Sequence, residues 1–114
     1  MRQTASPDGG RTWSVPRSSG VHGHPPHLLR LQDDRLLLTY GYRDPPKGVR
    51  VCISENNGRD WSEPTDLIHD TASPDLGYPS SVQLDDGSLI TVWYETLKGS
   101  KRAVIRQAHW SLES

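Results

Sequence analysis

Apolar positions in this chain gather in short runs, each closed off by Gly, Pro, Asp or Ser. Runs of that length between turn-forming residues are the pattern of β-strands. Strands are expected at 13–17, 25–31, 36–42, 49–54, 63–69, 78–84, 89–95 and 103–112, after a polar, extended lead-in over 1–5. The run 36–42 is mostly continuous rather than alternating, as suits a strand packed on both faces. Pro25 and Pro26 open their strand, where the missing N–H does least harm to a ladder. Turns are read at 31–35, at 98–101 and, most cleanly, at Asp85-Asp86-Gly87. The class is all-β.

Two repeats organise these strands. The segment 78–84 corresponds to 25–31 at an offset of 53, and at the same offset Asp86 falls on Asp33 and Leu89 on Leu36. The second repeat is in the turns. Ser6-Pro7-Asp8-Gly9-Gly10-Arg11-Thr12-Trp13 reads Ser-x-Asp-x-Gly-x-Thr-Trp, and Ser54-Glu55-Asn56-Asn57-Gly58-Arg59-Asp60-Trp61 follows 48 residues later. Both run on into Trp-Ser-x-Pro. Each residue type has a task in a tight turn. The side chain of Asp8 or Asn56 bonds turn N–H groups, Gly10 and Gly58 permit positive φ, and Trp13 and Trp61 pack under the hairpin. Asn56 replaces Asp yet keeps an acceptor, while Asp60 replaces Thr. The spacing fits the roughly 40–50-residue repeat of four-stranded propeller blades.

The Ser-x-Asp-x-Gly-x-Thr-Trp pattern is the Asp-box. Together with His24-Pro25-Pro26-His27-Leu28-Leu29-Arg30-Leu31, Leu36-Leu37-Leu38-Thr39-Tyr40-Gly41-Tyr42-Arg43 and Leu76-Gly77-Tyr78-Pro79-Ser80-Ser81-Val82-Gln83-Leu84, it resembles the C-terminal third of bacterial sialidase-like, Asp-box-repeat glycoside hydrolases. The resemblance covers nearly the whole chain. It implies a partial β-propeller of about two four-stranded, sialidase-like blades, forming one unit over 1–114. Residues 1–20 would carry the first box and an orphan outer strand, 21–70 blade one with the second box, and 71–114 three strands of blade two. Two blades cannot close a ring. Closure is expected either from a homotrimer of six blades, the orphan strand completing a neighbour's blade, or from the missing blades of a longer chain.

The resemblance also implies a ligand class, glycans, and a set of site residues. Exo-sialidases of this family hold the substrate carboxylate with three arginines, attack with a Tyr assisted by a Glu, and use an Asp as acid/base. A guanidinium fork matches a carboxylate, and a phenolate meets less repulsion beside an anionic sugar than a carboxylate would. Tyr78 stands in the region of the nucleophile, with Pro79 as a departure from the family pattern. Glu95 resembles the carboxylate that orients a clamp arginine, and Arg43 and Arg50 are the clamp candidates. His24 and His27 are added as substrate-binding candidates. The plainer readings stand beside these: a channel-lining Tyr78, a solvated Arg43, and an Arg50 paired across strands, with Glu95 as its counter-ion. No counterpart of the acid/base Asp is found. Asp34 occupies the place of the family's turn Gly.

Composition narrows this further. Only 32% of residues are hydrophobic, with no Phe, so open sheet faces would call for association. A net charge of −1 gives no general attraction to nucleic acid or membranes. Cys52 is the single cysteine and sits in an apolar strand pattern, a buried thiol rather than a nucleophile. His22, His24 and His27 lie close in sequence, but Pro25 and Pro26 separate them and no Cys or further carboxylate cluster joins them, so no metal and no cofactor is assigned. No run of about 18 apolar residues and no signal-peptide core is present, and the compartment is left open. Two functions remain: a sialidase-type glycoside hydrolase piece, incomplete as a single chain, and a non-enzymatic, lectin-like or scaffold module that forms an oligomeric propeller.

Overall fold

In the computed structural model, which describes residues 1–112, the apolar runs form nine strands in three antiparallel sheets, with no helix among the described residues. A short hairpin pairs β1 (Arg2–Gln3) with β2 (Arg17–Ser18). A four-stranded sheet follows in sequential order: β3 (Pro26–Arg30), β4 (Leu36–Tyr42), β5 (Gly48–Ser54) and β6 (Thr65–Ile68). A three-stranded sheet closes the described chain with β7 (Leu76–Gln83), β8 (Leu89–Thr96) and β9 (Ala103–Trp110).

The middle sheet carries the core because β4 is covered on both sides. On one face Leu38 and Tyr40 join Val21 and Cys52, with Met1 and Trp61 packed against them. On the other, Leu37 and Val51 meet Leu31 and Leu89, and Val49 meets Leu76 and Trp93. Each such side chain removed from water contributes roughly 1.5–3 kcal/mol before entropy is charged against it. The few polar groups between the sheets are satisfied: Ser81 bonds Thr91 at 2.7 Å and Thr39 at 3.4 Å. At one corner the sheets touch backbone to backbone. A Cβ added to Gly41 would lie 2.8 Å from the His24 carbonyl and 3.3 Å from the Gly77 Cα, so only glycine fits.

Both box turns fold as their residue types require. The Ser6 hydroxyl accepts from the Gly10 N–H, and Asp8 accepts from the N–H of Arg11 and Thr12 and from the Thr12 hydroxyl. These donors hold the Asp8 carboxyl down at about 2. In the second turn Ser54 accepts from Gly58 and Asn56 from the Asp60 N–H, while the Asn56 amide donates to the Asp60 carboxylate at 2.8 Å. Donor and acceptor have changed places between the two turns. The serine of Trp-Ser-x-Pro also gains a role, since Ser14 accepts from the Ala5 N–H and Ser62 from the Ile53 N–H.

Three expectations change. The lead-in is a strand, and the segment after the first box is no orphan: Arg2 pairs with Ser18 and Gln3 with Arg17. Two residue pairs of polar sequence carry no apolar pattern to announce them. Trp13 is 62% exposed rather than packed under its hairpin. The two-stranded hairpin offers it no neighbouring surface, whereas Trp61 packs against the cluster of Val21, Leu38, Tyr40 and Cys52 and donates to Gln3. The last two residues of the expected 71–114 unit lie outside the described residues.

Two predictions test the turns. Asn56→Asp sets a carboxylate against the exposed Asp60 and costs about 0.5–1 kcal/mol in denaturant unfolding, whereas Asn56→Asp with Asp60→Thr recovers most of it. Asp34 holds φ at 72° where the equivalent Gly87 holds 89°. Asp34→Gly therefore stabilises by about 0.5–1 kcal/mol, read as a higher denaturation midpoint.

Candidate functional site

The capped turns sit at one end of the strands, and the chemistry-bearing side chains gather at the other, where β4 ends and β7 begins. The cause is a local irregularity. β7 and β8 lose register between Gly77 and Ser80, and Tyr78 adopts φ 49°. A non-Gly residue in that region costs of order 1–3 kcal/mol, and buried Leu76, Gly77 and Pro79 hold it there. The bulge turns the Tyr78 side chain outward, 68% exposed. Its ring lies 5.9 Å from that of Tyr94, tilted by 36°. The Tyr94 hydroxyl donates to Asp75 Oδ1 at 2.6 Å, and this bond raises the phenol above its ordinary range. Arg43 leans in from the end of β4 and donates from Nε to the Leu76 carbonyl at 3.3 Å.

Of the residues singled out from the sequence, Tyr78 and Arg43 share this corner. Glu95 is 3% exposed on the opposite face of β8 from Tyr94. Its Oε1 accepts from Trp93 Nε1 at 3.0 Å and from Arg106 at 3.3 Å. Arg50 is elsewhere. It pairs with Asp66 at 2.9 Å, not with Glu95, and stacks 3.7 Å over the Tyr42 ring in a cleft of about 450 Å³ on the hairpin side of the middle sheet. Arg43 and Arg50 thus work on opposite faces. His24 is exposed, and its backbone N–H bonds the Gly41 carbonyl. His27 Nδ1 accepts the Ser81 N–H at 3.3 Å, tying β3 to β7. His22 turns to Asp44 at 2.9 Å, so the three histidines do not converge.

Sequence reasoning missed Asp75, Tyr94, Asp66 and Arg106. Alternation along β8 was the available signal for Tyr94, since it places that residue opposite Trp93 and Glu95. Asp66 meets Arg50 through a register shift between β5 and β6, which no pattern in the sequence marks. Cys52 is buried with its thiol pushed up by desolvation, against Tyr40 Oη at 3.7 Å.

The Tyr94–Asp75 bond has a pH signature. A raised phenol pKa means the contact persists at neutral pH and is lost as pH rises through that raised value. Asp75→Asn returns the Tyr94 midpoint toward about 10, as followed by ring-proton NMR shifts.

No protein-family model matches the sequence, and no curated protein matches it. The chain is similar to the crystal structure of an unknown function protein from Dyadobacter fermentans DSM 18053, with a TM-score of 0.87 and 35% identity over 96% of this chain. It spans 30% of the length of that protein.

Proposed function

We propose that the chain is a portion of a sialidase-like β-propeller whose ligands are glycans, and that its own property is binding rather than turnover. One observation carries the reading. The same hydrogen-bonded cap, with its Trp-Ser continuation, recurs 48 residues apart in a chain of sequentially ordered antiparallel sheets stacked face to face. Propeller blades also repeat as small antiparallel sheets, which supports the reading. The similarity to 30% of a longer protein is consistent with a unit that repeats beyond these sheets.

Binding without catalysis is favoured by the disposition of the candidate residues. Tyr78 has no carboxylate bonded to its hydroxyl among the described residues, and Arg43 and Arg50 do not converge on one point. A hydrolase would need a base at the phenol and an acid at the leaving group. The sialidase-type enzyme is the second reading, with Tyr78 as nucleophile and the missing groups supplied by further blades.

Those blades come from other copies, as a homotrimer, or from a longer chain. The pairing of β2 with β1 bears on the choice, because exchange of β2 into a neighbour requires the hairpin to open. Two measurements test the proposal. A fluorogenic sialoside stays uncleaved by the 12.8 kDa chain while a glycan array shows retention; release of the fluorophore, abolished in Tyr78→Phe, would establish the enzyme instead. Sedimentation equilibrium then gives the assembly, three chain masses marking the trimer.

A further inference from the structure

The strained corner around Tyr78 has a form that a packed interface between sheets does not need. Within the chain, β7–β9 covers the middle sheet closely because Gly41 lets the Gly77 backbone through. At the repeat offset of 53, Tyr94 falls on Gly41. A bulky ring there wedges open the corner that glycine closes one repeat earlier, so a further sheet stacked on β7–β9 would leave a gap over Tyr94 and Tyr78. Two tilted aromatic rings, a carboxylate and a guanidinium stand at that corner.

We propose that Tyr78, Tyr94, Asp75 and Arg43 form a subsite for a neutral pyranose ring. This rests on the glycan reading above and names which sugars it takes. The exposed Tyr78 face offers apolar area for the C–H face of a sugar. Asp75 spends Oδ1 on Tyr94, and its other oxygen has no protein partner among the described residues, leaving an acceptor for sugar hydroxyls. Arg43 keeps its terminal N–H groups beside Gly77 after Nε is bonded to Leu76. The charge balance selects against an anionic sugar. A carboxylate needs converging guanidiniums, but Arg50 is held by Asp66 on the other face of the middle sheet, and Asp75 itself repels an anion. The positive φ of Tyr78 turns its ring out to solvent, where a sugar can reach it.

The test uses methyl α-glucoside, methyl α-galactoside, methyl α-mannoside and the methyl α-glycoside of sialic acid with the intact chain, read by tyrosine ring shifts in NMR. At least one neutral glycoside is expected to shift the Tyr78 and Tyr94 signals and to bind at least tenfold tighter than the sialic acid glycoside. Tyr78→Phe retains binding, whereas Tyr78→Ala and Asp75→Asn weaken it tenfold or more. Tyr78→Gly is the sharper variant, because it relieves the backbone and raises Tm while abolishing binding. A Tyr78→Gly chain that binds as well as wild type overturns the subsite, as does tighter binding of the sialic acid glycoside that is lost in Arg43→Met. If no sugar on the panel or on the glycan array binds, the glycan reading itself falls and takes the subsite with it.

Discussion

The fold depends on β4 being covered on both faces. A chain with few large apolar residues concentrates them where they are removed from water twice over: Leu37 and Leu38 point to opposite sides of one strand, and each finds a separate cluster. The middle sheet is therefore the solid part of the molecule, and the hairpin and the β7–β9 sheet are held largely through it. The opposite face of β7–β9 shows what a sheet looks like without this cover. Val82 and Ile105 stand exposed there, Ile105 at 76%.

The turns set the geometry that the core then fills. Ser, Asx and Gly at fixed spacing satisfy the N–H groups of each box from within the turn, which frees the adjoining strands to be judged by their packing alone. The hairpin gains further ties through Gln3 and Arg17, both of which donate to the Gly58 carbonyl. The strands of the first hairpin thereby dock onto the second box turn. These polar ties compensate for a hairpin too short to hold itself by its ladder.

Much of this was legible in the sequence for physical reasons. The run at 36–42 is apolar enough to have one reading, and its bounds coincide with β4. Asp34 aligns with Gly87 at the repeat offset, and both hold positive φ in the structure. What escaped was whatever a register shift or bulge created. Tyr78 adopts its conformation through a slip between Gly77 and Ser80, and Arg50 meets Asp66 through another slip at Val49 and Arg50. Patterns of apolar spacing assume regular pairing, so side chains placed by irregular pairing are invisible to them. Glu95 was noticed for its type, but its partners, Trp93 on the same strand and Arg106 on the next, follow only from the register of β8 and β9.

The exchange of roles between Asp8–Thr12 and Asn56–Asp60 carries a consequence for how repeats of this kind diverge. A turn of the Asp–Thr kind reaches Asn–Asp more easily in one order of steps than in the other. Acquiring the second carboxylate first sets two anions face to face, whereas replacing the first Asp by the amide leaves a tolerable intermediate. Sequence drift in such a turn is directional: the history of one position decides which residues its partner four places on is free to become.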